Sequence, residues 1–356
     1  MKLKAGIIGA GGIAQYAHIP CYKKIEGVEL AAIADVNEEK RKFVSEKFGI
    51  PKTFKNWEEM LEEDIDMVSI CTPSVFHAVQ SIKAMEAGKH VLCEKPLCVS
   101  IKEVNEVFAA SRRTGRKFMG AMHKRFSEEA KAVKSIVNAG LLGEIYYIKA
   151  SWTRRRGIPN PGSWFTNRKL AGGGALMDIG VHAIDLAVYL SGLSSLESVS
   201  GATCMKFTDR ATDGGWPPHS TRKGNEYIGK MDVEELACGF ARFAGGQTLF
   251  AEACWAGNIE NGFNIDLFGT KAGVHISDPG ENKKESLAIY SETEGVLSNR
   301  FPLLPHSNPF GEEMKHFIDC IRNNTQPVTM KEEVVTVMQI IESIYQSAEK
   351  EKPVRI

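Results

Sequence analysis

The chain has 356 residues, enough for two domains with separate cores. Its 43% hydrophobic and 25% charged residues fit a globular protein and argue against disorder. Lys+Arg and Asp+Glu are both 44, so the basic excess that marks a nucleic-acid binder is missing.

The eight cysteines are scattered without a C-x-x-C pair, and several lie in apolar runs, which suits small buried thiols better than bridges or zinc ligands. No apolar run approaches the roughly 20 residues of a membrane span, and the few residues before the first strand leave no room for a signal peptide. The expectation is a reduced cytoplasmic protein without membrane or nucleic-acid partners.

In chain order, residues 4–8 read as a strand, followed at once by Gly9-Ala10-Gly11-Gly12-Ile13-Ala14. This is G-x-G-x-x-A. Gly9 permits the tight turn, Gly11 lets the backbone approach a pyrophosphate, and the small Ala14 lets the next helix pack on the sheet. A second strand, 28–34, ends in Asp35, placed where a carboxylate accepts hydrogen bonds from the adenosine ribose hydroxyls. The same carboxylate would repel a 2′-phosphate and no arginine follows it directly, so NAD is expected over NADP. The bland alternative is that Asp35 caps the next helix.

Strand and helix signals keep alternating: helices at 37–48 and 56–63, a strand at 67–71 running into Thr72-Pro73, and a helix at 75–87 carrying His77. A strand at 90–93 leads into Glu94-Lys95-Pro96, then come a helix at 100–114 and a strand at 117–122 ending at His123. Repeated β-α units mean a doubly wound parallel sheet with its ligand crevice beyond the strand C-termini. Asp35, Thr72, Glu94, Lys95 and His123 all sit at such ends. The spacing predicts a nucleotide-binding domain over 1–123.

Residues 124–356 read as α+β. A helix at 128–139 precedes a strand at 144–153, with Tyr146, Ile148, Ala150 and Trp152 on one face and Arg154 next. Arg154-Arg155-Arg156 suits a substrate carboxylate or phosphate, or else a solvated strand end. Trp164 and Trp152 are candidates for an apolar sugar platform or for ordinary core. The stretch AGGGALMDIGVHAIDLAVYL then forms a nearly all-apolar helix over 175–190, with Asp178, His182, Asp185 and Tyr189 on one stripe. Such a stripe is either a satisfied polar seam or the wall of a reactive cavity. A strand at 198–206, a long polar loop at 208–230 with His219 as a candidate lid, strands at 235–243, 247–256, 263–268 and 273–277, and helices at 309–322 and 331–349 complete the chain.

The glycine loop, Cys71-Thr72-Pro73, Glu94-Lys95-Pro96 and the GGGALMDIGVHAID segment, in this order, resemble the Gfo/Idh/MocA oxidoreductases over nearly the whole chain. The resemblance implies a Rossmann domain followed by a largely antiparallel open sheet whose free face pairs subunits, hence a homodimer or homotetramer. It also implies a sugar, sugar derivative or cyclitol as substrate, and a cis peptide at Pro96. Gly9, Gly11, Gly12, Ile13, Ala14, Asp35, Thr72, Pro73, His77, Glu94, Lys95 and His123 would then contact the cofactor, although relatives usually carry other residues at the His123 position. Lys95, Asp178, His182, Arg154 and Trp164 would contact the substrate.

Oxidising a secondary alcohol needs a base for the hydroxyl proton, and neutral histidine titrates in the right range. It also profits from a cation beside the developing alkoxide. The resemblance assigns a catalytic set to Lys95, Asp178 and His182, with Asp185 structural. A metal site is not expected, since no third ligand stands at sensible spacing. Two rivals come with the resemblance: glycoside cleavage assisted by a transient oxidation, and a non-catalytic dinucleotide-binding regulator, which would be expected to lose part of this set.

Overall fold

The computed structural model describes residues 2–160, 162–207, 231–277 and 285–356; the expected lid at 208–230, with His219, lies outside them. The first sheet comprises β1 (Leu3–Ile8), β2 (Val28–Ala34), β3 (Lys52–Phe54), β4 (Met67–Ile70), β5 (His90–Cys93) and β6 (Phe118–Gly120), in the order 3-2-1-4-5-6. Every pairing in it is parallel. The strand order reverses between β1 and β4, which is where such a sheet opens a ligand crevice.

Its helices are α1 (Ile19–Tyr22, entered through a π-helical turn at Ala14–His18), α2 (Glu38–Phe48), α3 (Trp57–Leu61), α4 (His77–Glu86) and α5 (Ile101–Thr114). Local chemistry sets several of their ends. Asn37 accepts from the Lys40 N–H at 2.8 Å to start α2, and Ser100 accepts from the Glu103 N–H at 3.3 Å to start α5. Gly49 and Gly115 close these helices in left-handed geometry.

The second half continues with α6 (Glu128–Asn138), β7 (Ile145–Thr153), α7 (Arg168–Ala171), α8 (Val181–Ser191, entered through a π-helical turn at Leu176–Gly180) and β8 (Leu196–Cys204). Strands β9 (Leu236–Phe243), β10 (Thr248–Cys254), β11 (Gly262–Gly269), β12 (Ala272–Ser277), β13 (Leu287–Thr293) and β14 (Val296–Arg300) follow. The chain ends with α9 (Pro309–Arg322), α10 (Lys331–Lys350) and β15 (Val354–Arg355). The nine strands order as β14-β13-β12-β11-β7-β10-β9-β8-β15. Only β7 and β10 pair in parallel.

One face of this sheet is buried under α8 and α10, through Ile148, Ala150, Leu249, Ala251 and Ile265, each at most 1% exposed. The other carries Tyr147, Phe240, Phe250 and Phe268 in a chain of ring contacts 5.2 to 6.5 Å apart. That alternation follows from the period-2 side-chain pattern. Helix α9 returns to the first sheet, where Met314, Phe317 and Ile318 join the core of Leu3, Ala5 and Ile7.

Strands β3, β13 and β14 were not expected. The first is a short exposed edge, and the other two carry little apolar alternation, so they depend on their neighbours for pairing. The segment Arg168–Ser191 is, against the sequence expectation, long and apolar enough by length and composition to cross a membrane. Its apolar window is 94% buried within the fold, which makes it a core helix packed on the second sheet beside α10 and α6.

Helix α8 is tied to both halves of the chain by Arg125, just past β6. The Arg125 Nε donates to Asp185 Oδ2 at 2.8 Å and Nη2 donates to Oδ1 at 2.6 Å. Nη1 donates to Glu333 and to the Val328 carbonyl. The Arg125 and Asp185 side chains are 0% and 1% exposed. Removing Asp185 leaves Glu333 as the counter-charge of the buried guanidinium and strips Nε and Nη2 of their acceptors, so Asp185→Ala is expected to cost about 3 kcal/mol, read as a lower urea midpoint. An unchanged midpoint would count against this tie.

Candidate active site

The glycine loop turns directly off β1. Gly9 has φ +98° and a Cβ there would lie 2.6 Å from the Cys71 carbonyl oxygen, so a side chain is excluded by both strain and contact. Gly11 differs: a Cβ would meet only the Cys71 oxygen, at 3.8 Å, so the protein itself leaves that space open. Gly12 and Ile13 are half-buried beside it, and Ala14 is fully buried under the helix. A cleft of about 340 Å³ opens here, lined among others by Gly9, Gly11, Asp35, Thr72, Pro73 and Trp164.

Asp35 braces the loop, its Oδ2 accepting from the Ala10 N–H and its Oδ1 from the Asn37 N–H, both at 2.8 Å. Asp35 thus braces the glycine loop and lines the cleft, while the cap of α2 is Asn37 and not Asp35. Sequence reasoning missed Lys40 and Lys55 at the cleft wall, because only the fold brings them beside Asp35.

The next two strand ends interlock. The Lys95–Pro96 peptide is cis. His77 is 1% exposed, with Nδ1 2.7 Å from the Pro96 carbonyl oxygen and Nε2 2.9 Å from that of Thr72. Both nitrogens face backbone carbonyls, and His77 braces the turn between the two strand ends. Glu94 is likewise turned inward at 6% exposure. Its Oε1 lies 2.9 Å from His18 Nε2, and its Oε2 accepts from the Lys95 N–H at 3.1 Å. Its side chain forms a buried link to the turn that enters the first helix. His18 was missed, having no sequence signal beyond its place after the glycine loop.

Lys95 reaches across to the central helix. Its Nζ donates to Asp178 Oδ1 at 2.7 Å and to the Asp178 carbonyl at 2.8 Å. The other carboxylate oxygen accepts from Trp255 Nε1 at 2.9 Å, and Trp255 is fully buried. Burial alone would raise the Asp178 pKa; Lys95, Arg154 and these hydrogen bonds outweigh it and hold the carboxyl below its usual range. Trp255 was missed because its partner is set by the packing of β10 on the helix.

His182, one turn past Asp178, is 4% exposed, and among the described residues its buried Nδ1 has no hydrogen-bond partner. Burial, then the charges of Lys95, His123, Lys124 and Arg154, push its pKa well below the ordinary histidine value of 6.5. It is therefore neutral at neutral pH. His123 meets it edge-on at 4.9 Å and stacks on Phe310 at 4.2 Å, so it walls the His182 side of the site. Trp152 tilts against His182 at 5.6 Å, with the Arg154 guanidinium 5.3 Å from the centre of the Trp152 ring. Trp164 lines both the cleft and a small pocket containing Lys95, Pro96 and Asp178.

The expected stripe on the central helix is split. Asp178 lines this small pocket and His182 packs against His123 and Trp152, while Asp185 and Tyr189 meet the buried Arg125, whose guanidinium lies 4.6 Å from the Tyr189 ring centre. The far end of the helix is thus a satisfied polar seam.

Residues 3–122 match the family described as an oxidoreductase family with an NAD-binding Rossmann fold, and residues 130–275 match the GFO/IDH/MocA C-terminal domain. The chain is 30% identical to the D-glucoside 3-dehydrogenase of Escherichia coli (strain K12), covering 98% of this chain and 95% of that protein. It is 29% identical to the levoglucosan dehydrogenase of Pseudarthrobacter phenanthrenivorans, over 87% of this chain and 82% of the relative. Among solved structures it resembles the aldose-aldose oxidoreductase of Caulobacter crescentus complexed with glycerol, with a TM-score of 0.81, 26% identity and 100% of each chain covered.

Proposed function

The chain belongs to the Gfo/Idh/MocA oxidoreductase family, and from that premise we propose an NAD-dependent dehydrogenase acting on a secondary hydroxyl of a sugar, sugar derivative or cyclitol. The observation that carries the reading is the Lys95–Asp178 pair beside a buried, neutral His182 with an unpartnered nitrogen. The relatives' names, a D-glucoside and a levoglucosan dehydrogenase, support the sugar class.

The residues fit a dinucleotide. The open space at Gly11 admits a pyrophosphate against backbone N–H groups, and the Asp35 carboxylate faces the same cleft, suited to ribose hydroxyls. Bound NAD supplies the nicotinamide carbon that accepts a hydride. The protein's part is electrostatic and geometric. Lys95, oriented by Asp178, holds the reacting oxygen and stabilises its negative charge as the proton leaves. His182 receives that proton, and its depressed pKa keeps it in the accepting form. Asp178, held ionised, orients the Lys95 ammonium and retains lone pairs for a substrate hydroxyl. Arg154, Trp152 and Trp164 form the substrate wall. The aromatic open face of the second sheet is the surface on which copies pair into a dimer or tetramer.

The test is NADH formation at its absorbance wavelength over inositols, hexoses, 1,5-anhydro sugars, sugar acids and simple glycosides, with NAD and NADP run separately. The expected result is turnover of one class, faster with NAD, because Asp35 repels a 2′-phosphate. Glycoside cleavage without net NADH, or cofactor binding without any turnover, overturns the dehydrogenase reading in favour of the glycoside-cleaving or regulatory rival.

A further inference from the structure

The helix that carries Asp178 and His182 has no cap of its own: no side chain of its own N-terminal residues accepts from its first N–H groups. Those donors need partners where water is excluded. They find them in one residue from the strand-leading segment before β9. Glu234 Oε1 accepts from the Leu176 N–H at 3.1 Å, and both its oxygens accept from the Gly174 N–H, at 3.1 and 3.0 Å. The Glu234 carbonyl accepts from the Ala175 N–H at 3.1 Å. The Tyr345 hydroxyl, on α10, donates to Glu234 Oε1 at 2.8 Å.

The glycines before the helix are explained by the same contact. A Cβ at Gly174 would lie 2.0 Å from the Glu234 carbonyl oxygen, and one at Gly173 would lie 2.1 Å from the Tyr345 hydroxyl. The collision at Gly174 is with backbone and cannot be relieved by a rotamer change, and the one at Gly173 would displace the Tyr345 side chain. The glycine run is therefore shaped to receive Glu234 and Tyr345, and it is not a phosphate cradle. Glu234 is 3% exposed, and burial raises its pKa even against the Tyr345 hydroxyl and the Leu176 and Gly174 N–H groups.

We infer that Glu234, supported by Tyr345, is a positioning residue that sets the height and rotation of the helix and so the placement of Asp178 and His182. The inference rests on the roles proposed above for those two side chains. Asp178 stands one turn beyond Gly174, with its own N–H donating to the Gly174 carbonyl at 3.0 Å. A shift of the helix start is thus passed directly to the group that orients Lys95. Misplacement of a reacting group by about 1 Å costs on the order of 100-fold in rate.

Glu234→Gln keeps the shape but turns an amide donor toward the Gly174 N–H. The expected result is a fall in kcat of roughly 100-fold, with NAD affinity, read by tryptophan fluorescence, within about twofold of wild type. Tyr345→Phe, a milder change that leaves the carboxylate in place, should lower kcat by about tenfold or less, and Glu234→Asp should recover part of the loss. In histidine-labelled protein, the His182 imidazole signals, assigned with His182→Ala, should move in both Glu234→Gln and Tyr345→Phe. Unmoved His182 signals with kcat within twofold of wild type in both variants overturn the inference. So does a loss of kcat that only tracks unfolded protein and lost NAD binding. If His182→Ala proves fully active, the proposed acid/base role fails, while the imidazole signals still decide the positioning claim.

Discussion

His182→Ala lowers kcat for alcohol oxidation by roughly 10²- to 10⁴-fold, the span by which a positioned general base accelerates such a step. NAD affinity stays nearly unchanged, because the cleft formed by Gly9, Gly11 and Asp35 is lined without His182. The pH profile carries a second signature. Burial and the neighbouring cations of Lys95, Lys124 and Arg154 make the charged imidazole unfavourable, so protonation of His182 sets in only well below pH 6.5. The acidic limb of the wild-type profile is therefore expected below that value, and the alanine variant should lack it. Stability follows the same sign. With its folded pKa depressed, His182 contributes stability above its unfolded pKa, and that contribution is lost as pH falls below about 6.5. Steady-state rates and urea midpoints at several pH values check both. Full activity in the variant would remove His182 from the chemistry.

Lys95→Met removes the cation beside the reacting oxygen and should lower kcat by roughly 10²- to 10³-fold, the loss expected when one donor to a developing oxyanion is deleted. It also leaves the Asp178 carboxylate, already buried, with Trp255 as its remaining side-chain hydrogen-bond donor. The Asp178 pKa then rises, since burial is no longer outweighed by the adjacent ammonium. Lys95→Arg is not a rescue: a planar guanidinium cannot place one donor on Oδ1 and another on the Asp178 carbonyl as the ammonium does. The double change Lys95→Met with Asp178→Asn should lose little more rate than Lys95→Met alone, and should unfold at higher urea than it, because the two groups act as a unit. Additive losses in the cycle would show that they work independently.

Much of this protein was legible in its sequence. The parallel sheet was readable because each buried strand is a short apolar run closed by a turn, and Asp35, Thr72, Glu94, Lys95 and His123 sit at strand ends by chain order alone. The Gly9 loop was readable because a tight turn with close backbone approach admits little besides glycine. Asp178 and His182 stood out as polar residues on a helix otherwise apolar, four positions apart and so on one face.

Tertiary structure decided which polar groups meet across the chain. Lys95 pairs with Asp178 from 83 positions away, Trp255 with Asp178 from 77, and Glu234 with Gly174 from 60. Local propensity carries no information about such pairs; the docking of the β5 strand end on the helix creates the first, and the packing of the second sheet on the helix creates the other two. The same holds for His77 and Glu94, whose residue types suit a ligand but whose nitrogens and oxygens are taken up by neighbouring backbone and by His18. Sequence determined which chemistry was available and near which strand ends. Burial and long-range pairing determined which of those groups still has an atom free for a substrate, because a buried polar group must first satisfy itself within the fold.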